Sequence, residues 1–226
     1  MMKIALIYPE LLGTYGDYGN ALALSQRSTR RGIDVDVMNV SINDELPDAD
    51  LYLLGGGEDG PQRLAVDLLK KSSLKQRVTN GAHVFAVCAG LQILGTSFCV
   101  EGNDAYEGLS LVDVETTRGS VRSVGELLSQ VGENKLVGFE NHGGVTTLSA
   151  GIEPLGTVLH GRGNNGHFDG FVSETIWATY AHGPVLAMNP WLCDEVIAKV
   201  TGNNLSPLKT AADLLYAERV TSLSSR

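Results

Sequence analysis

The chain has 226 residues, 43% of them hydrophobic, with three cysteines and a formal net charge of −9. That length can bury a substantial core, and the absence of a basic block or Lys/Arg stripe removes the electrostatic footprint of a nucleic-acid or anionic-membrane binder. No apolar run is long enough to span a bilayer, and three widely spaced cysteines build neither a disulfide framework nor a close-spaced metal site.

The N-terminal segment MMKIALIYPELLGTYG breaks at Pro9 and has no small-residue cleavage site. It reads as a first strand rather than a signal peptide, and a reducing cytoplasm is the expected compartment. KIALIY (3–8) is that strand, followed by the polar loop GTYGDYGN (13–20). ALALSQRSTRRG (21–32) reads as a helix, with Arg27, Arg30 and Arg31 near its end and Gly32 as its stop. IDVDVMNV (33–40) alternates as a strand, and DLYLLGGG (50–57) is an apolar strand ending in three glycines. RLAVDLLKKSSLKQRVTNG (63–81) is expected to be one helix, closed by Asn80-Gly81, and HVFAVC (83–88) the next strand. Strand and helix alternating in this way predict an α/β fold with a mostly parallel central sheet flanked by helices.

The second half reads as β-rich. LSLVDVETT (109–117), KLVGFENH (135–142), GVTTL (144–148) and TIWATYAHG (175–183) are predicted strands, with HGRGNNGHFDG (160–170) as a loop. Helices are expected in WLCDEVIAKVTG and LKTAADLLYAERV. No repeat, linker or charge block divides the chain, so one domain over 1–226 is expected, its core at 3–200 and its tail helical.

Cys88 stands where a strand turns into a helix, in VFAVCAGLQILG. Such a turn lifts the sulfur clear of the sheet and aims the next backbone N–H groups into the same space. The same cysteine could equally be a small, inert hydrophobe in a packed strand. Cys99 and Cys193 are better explained by packing. The glycines Gly55, Gly56 and Gly57 end a strand where N–H groups can approach a ligand. No GxxxxGK[ST] or GxGxxG pattern makes them a nucleotide loop. Among five histidines, His83 begins a strand and faces away, while His160 and His167 lie in a solvated loop. His142 follows GFEN, and His182 ends the apolar strand IWATYAHGP, held yet free to face a cleft.

LLGGGEDGPQ, AVCAGLQILG and TYAHGP, in that order, resemble a class I glutamine amidotransferase with flavodoxin-like architecture, in the CobB/CobQ-like branch that includes cobyric acid synthase. YPELLGTYGDYGN, GFENHGG and TYAHGPVLAMNP narrow the resemblance to the GatD-type glutaminase subunits of lipid II isoglutaminyl synthase, across residues 3–200. The resemblance implies that Cys88 attacks the side-chain amide of L-glutamine, with His182 as acid–base partner. Backbone groups at Gly56, Gly57 and Ala89 would hold the oxyanion, and Gln92 and Arg122 would bind substrate. It implies a heterodimer with a Mur-ligase-like (MurT-type) subunit, which uses the ammonia to amidate the D-glutamate α-carboxyl of lipid II in peptidoglycan synthesis. ATP and Mg²⁺ would belong to that partner, and no metal or cofactor is expected in this chain.

One departure is plain. Triad enzymes carry Glu two residues after the histidine, whereas here the order is His182, Gly183, Pro184. The missing orienting acid is expected from the partner, with Asp17, Glu58 and Glu140 as local alternatives and Asn141 and His142 as accessory neighbours. Two other functions fit the same residues: a glutaminase serving another acceptor such as a cobyrinate-type corrinoid, and a non-catalytic amidotransferase-like binding module.

Overall fold

A computed structural model describes residues 1–99 and 104–224. The elements run β1 (Met2–Ile7), α1 (Pro9–Leu12), α2 (Gly19–Thr29), β2 (Val35–Val40), β3 (Leu51–Leu54), α3 (Asp59–Lys71), α4 (Leu74–Thr79), β4 (His83–Val87) and α5 (Ala89–Leu94). There follow β5 (Ser97–Cys99), β6 (Ala105–Glu107), β7 (Val114–Val131), β8 (Asn134–Leu148), β9 (Gly156–His160), β10 (Phe168–Asp169), β11 (Phe171–Val172) and β12 (Ile176–Thr179). Helices α6 (Val185–Met188), α7 (Pro190–Thr201) and α8 (Ala211–Ser224) close the described chain.

The first sheet has the order β11-β12-β4-β3-β1-β2, with every pairing parallel except β11 on β12. Its inner strands are continuous apolar runs because helices cover both faces: LYLL of β3 and IWAT of β12 are buried at every position. VDVMNV of β2 alternates and stays half-exposed because it is the sheet's edge. Helix α3 buries Gln62, Ala65, Val66 and Leu69, the i, i+3, i+4, i+7 stripe of an amphipathic helix. Val66 and Leu69 on that stripe each contribute about 1.5–3 kcal/mol of burial, and Ala65 less. One core cluster takes in residues of both sheets, with Trp177, Tyr52, Phe85 and Phe98 among its largest sealed side chains.

The second sheet, β10-β9-β7-β5-β6 with β8 on β7, departs from the sequence-based reading in its lengths. The expected strands at 135–142 and 144–148 are one strand, β8, paired antiparallel with β7 from Val114↔Leu148 to Val131↔Asn134. The ladder carries strand structure through the polar GSVRSVGE, which has no apolar alternation to announce it, with a bulge between Arg118 and Ser123. Residues 109–113 lie before this strand. The predicted helix over 63–81 is two: Ser72 Oγ takes the N–H of Leu74 at 3.2 Å, one of the local side-chain bonds by which serine interrupts a helix. That helix also starts earlier, at Asp59. Strand β12 stops at Thr179, so His182 lies beyond it.

Candidate active site

Strand order explains why distant motifs meet. β12, β4, β3 and β1 are neighbours, and functional positions in such sheets lie beyond the carboxyl ends of the strands. Beyond β12 comes His182, beyond β4 Cys88, and beyond β3 the glycine run. Asp17 follows α1, which itself follows β1.

Cys88 occupies φ 50°, ψ −103°, a conformation that costs a non-glycine residue about 1–3 kcal/mol. Its N–H is anchored to Thr179 O at 2.9 Å, so the strained turn is tied to the neighbouring strand. The side chain is buried but lines a polar recess together with Gly57, Ala89 and Gln92. Neither the Gly57 nor the Ala89 N–H meets a backbone acceptor among the described residues.

His182 is fixed by two backbone bonds across to the second sheet, His182 N to Phe139 O at 2.7 Å and Phe139 N to His182 O at 3.0 Å. Its Nδ1 lies 3.2 Å from Asp17 Oδ2 and 3.4 Å from Asp17 Oδ1. Asp17 is 2% exposed, so this ion pair is shielded from water. The ring's Nε2 is sealed with no hydrogen-bond partner among the described residues, and Cys88 is the group besides Asp17 that interacts with the imidazole. Burial alone lowers the histidine pKa, but the hydrogen bond to Asp17 and the interaction with Cys88 overcome it, and the pKa is pushed up to about 10. Of the three local acids the sequence offers, Asp17 is the one that stands on the imidazole.

Asp17 also corrects the expectation for Gly56. The Gly56 N–H donates to Asp17 Oδ2 at 2.8 Å, so it is not available to an oxyanion. Its lack of a side chain matters instead: a Cβ there would lie 2.6 Å from His182 Cε1 and 2.9 Å from Tyr15 Cδ2.

Tyr15 packs its ring on His182 with centroids 4.5 Å apart. Its hydroxyl donates to Glu58 Oε1 at 3.1 Å and accepts from Arg122 Nη2 at 3.4 Å. Arg122 Nε donates to Asn141 Oδ1 at 2.8 Å; with Arg118 it gives the recess a cationic wall from β7, opposite Glu58 and Asp59. Glu58 thus stands at the mouth and not on the imidazole.

Glu140 is elsewhere too. It accepts from Arg162 N at 2.8 Å and Gly163 N at 2.9 Å and meets His142 Nε2 at 3.2 Å. His142 stacks on Tyr180 at 3.9 Å, and the Tyr180 hydroxyl accepts from Gln92 Nε2 at 3.1 Å. Asp169, fully buried, takes Thr179 Oγ1 at 2.6 Å and Tyr180 N at 3.0 Å, holding the chain as it leaves β12. Burial pushes its carboxyl pKa up to about 6.

The remaining predicted positions fall as their surroundings demand. His83 stacks on Trp177 at the far end of β4. His160 and His167 are exposed, and Cys193 is sealed, with its thiol pKa raised by burial. Cys99 is the exception, half-buried at the recess rather than packed away. Sequence reasoning missed Tyr15, Gln62, Arg118 and Tyr180. The first two lie inside quoted motifs, GTYGDYGN and GGGEDGPQ, yet nothing local told which of their polar residues turn inward.

No helix among the described residues is long and apolar enough to cross a membrane, and no cluster of three or more metal-ligating side chains is present among them. A family model of the CobB/CobQ-like glutamine amidotransferase domain matches residues 3–190. The GatD subunit of lipid II isoglutaminyl synthase (glutamine-hydrolyzing) from Streptococcus pneumoniae is 34% identical over 205 residues, 87% of this chain and 79% of the relative. Its Staphylococcus aureus counterpart is 33% identical over 195 residues, 83% and 79% of the two chains. A crystal structure of a glutamine amidotransferase superposes with a TM-score of 0.61 at 18% identity, covering 88% of this chain and 99% of that one. The family model and these relatives together show that the chain belongs to the CobB/CobQ-like glutamine amidotransferase family.

Proposed function

We propose that this chain is the glutaminase subunit of a lipid II isoglutaminyl synthase. Cys88 Sγ attacks the carboxamide carbon of L-glutamine as its proton resides on His182 Nε2. Charge developing on the carbonyl oxygen is met by the N–H groups of Gly57 and Ala89. The C–N bond then breaks, the imidazolium protonates the departing nitrogen, and ammonia leaves a glutamyl thioester on Cys88. Water, deprotonated by His182, attacks that thioester, releasing glutamate and restoring the thiol. Asp17 keeps Nδ1 protonated and the ring aligned, while Arg122 and Gln92 bind the amino-acid end of the substrate. The ammonia passes to a Mur-ligase-like subunit that activates the α-carboxyl of D-glutamate in lipid II with ATP and Mg²⁺.

The observation that carries the reading is the setting of His182: Nδ1 on a buried carboxylate, Nε2 sealed without a hydrogen-bond partner, and Cys88 interacting with the ring. A structural histidine spends both nitrogens on the protein; this one keeps one for chemistry. The acceptor is inferred from the GatD-named relatives, of which this chain spans 79%. Cys88→Ala should lower glutamate release by about a thousandfold or more, and wild-type chain co-purified with the ligase subunit should amidate lipid II with glutamine as nitrogen source. Undiminished hydrolysis in Cys88→Ala overturns the site. Intact hydrolysis without lipid II amidation overturns the acceptor.

A further inference from the structure

Gln62 is the polar member of the buried stripe on α3. Ala65, Val66 and Leu69 on that face are sealed in the core, whereas Gln62, 3% exposed, reaches the recess. The direction of its carboxamide is determined by its neighbours. Nε2 lies 3.5 Å from Ala89 O, which can only accept, and donates to Gln92 Oε1 at 2.9 Å. Gln92 passes the same sense onward, donating from Nε2 to the Tyr180 hydroxyl at 3.1 Å, which meets Thr146 Oγ1 at 2.7 Å. Reversing the Gln62 amide would set oxygen against oxygen at Ala89, and reversing Gln92 alone would set its NH2 group against that of Gln62. Gly144 leaves room for the pair, since a Cβ there would stand 2.8 Å from Gln92 Nε2.

With its N–H groups committed, Gln62 offers the recess an oxygen. Oε1 accepts no hydrogen bond from the described residues and is not among the sealed, unpartnered atoms. A free amino acid brings three polar groups to this space. Its carboxamide belongs over Cys88, between Gly57 and Ala89, and its carboxylate belongs with the arginines of β7. The α-ammonium needs acceptors, and Asn141 Oδ1 and Gly144 O each already accept one hydrogen bond, from Arg122 Nε at 2.8 Å and His142 Nδ1 at 3.0 Å. At the start of α3 the recess is lined by Glu58, Asp59 and Gln62, and of these three only Gln62 is buried.

Resting on the glutaminase reading of this site, we propose that Gln62 Oε1 accepts a hydrogen bond from the substrate's α-ammonium and makes the site select glutamine with a free amino group. A hydrogen bond to a charged group lost from a buried site costs more than a neutral one, because the ammonium then stays unpaired.

The test compares L-glutamine with 4-carbamoylbutanoate, which is glutamine without the α-amino group, on the full chain with its partner present. In Gln62→Met, kcat/KM for glutamine should fall about 10- to 100-fold further than that for 4-carbamoylbutanoate, chiefly through KM, any loss shared by the two substrates reporting the donor that Gln92 loses. Gln62→Glu retains an acceptor and should keep the preference for glutamine while losing rate on both substrates, since Gln92 loses its donor. An equal loss on both substrates in Gln62→Met, or no loss on either, overturns the role of Gln62. If Gln62→Met does not fold, Gln62→Ala decides: a preference for glutamine kept at its wild-type size overturns the proposal, and one reduced about tenfold or more upholds it. A wild-type chain without Cys88-dependent hydrolysis overturns the glutaminase reading itself, and the proposal with it.

Discussion

Asp17 serves two neighbours from one carboxylate: the Gly56 N–H at 2.8 Å and His182 Nδ1 at 3.2 Å. The first bond fixes the carboxylate and the second uses its charge. A histidine whose folded pKa is raised to about 10, against about 6.5 unfolded, contributes stability that is complete below about 6.5. That contribution is lost as pH rises through the folded value. On the proposed mechanism the same proton is the one given to ammonia, so the alkaline limb of kcat/KM should lie near the folded pKa. Asp17→Asn should bring that limb down toward neutral pH and lower kcat about a hundredfold or more. A pH–rate profile unchanged in Asp17→Asn would show the aspartate to be structural. Gly56→Ala tests position separately from charge. The added methyl lands against His182 Cε1 and the Tyr15 ring, and an ångström of displacement in the base is worth about a hundredfold in rate. Glutamine hydrolysis measured beside the unfolding midpoint separates this effect from a loss of fold.

At the scale of elements, the C-terminal helices are tied to the sheet's outer layer by one buried cation. Arg27 on α2 makes two 2.6 Å bonds to Asp194 on α7 and a 3.2 Å bond to Asp213 on α8, and Arg31 adds a 2.7 Å bond to Asp194. Because both carboxylates are about a quarter exposed and Arg31 remains, Arg27→Met should cost about 2 kcal/mol rather than the full penalty of a buried unpaired charge. That is a fall of roughly 4–8 °C in Tm for a chain of this size. Calorimetry checks it, and proteolysis should cleave first between α7 and α8; an unchanged Tm would show that the tail is held by its apolar contacts alone. The motif that supplies Arg27 was legible as a helix end, but not as a clamp, because its acids lie 167 and 186 residues away. The same distinction runs through the molecule. Apolar runs announced β1, β3, β4 and β12, since burial on both faces leaves a local signature. The long β7–β8 hairpin left little, because a ladder of backbone bonds holds its polar middle. Cys88 and His182 stood out in their motifs, Asp17 was one of three local acids offered for the imidazole, and Gln62 was not singled out at all. Which polar side chain of a glycine-rich loop turns inward depends on what waits across the sheet.

At the scale of the whole molecule, the proposed catalytic groups converge from one chain, at the carboxyl ends of four adjacent strands and on the β7–β8 hairpin beside them. The absence of Glu after His182-Gly183-Pro184 made a partner-supplied acid the natural expectation; with Asp17 on Nδ1, the proposed mechanism draws its base, its orienting acid and its oxyanion donors from this chain alone. On that proposal the partner's contribution falls on the fate of ammonia and on the part of the recess where Tyr15, Glu58 and Arg122 are linked by hydrogen bonds through the Tyr15 hydroxyl. The purified chain alone should therefore release glutamate and ammonia in equal amounts from L-glutamine. Addition of the ligase subunit, ATP and acceptor should lower free ammonia while glutamate continues to form, with any gain in rate read in KM more than in kcat. Coupled assays for the two products, run on the same samples, measure both. Glutamate release that is absent from the isolated chain and restored by the ligase subunit without ATP or acceptor would return the orienting group to the partner, and would make Asp17 a carboxylate that shapes the glycine turn rather than one that steers the base.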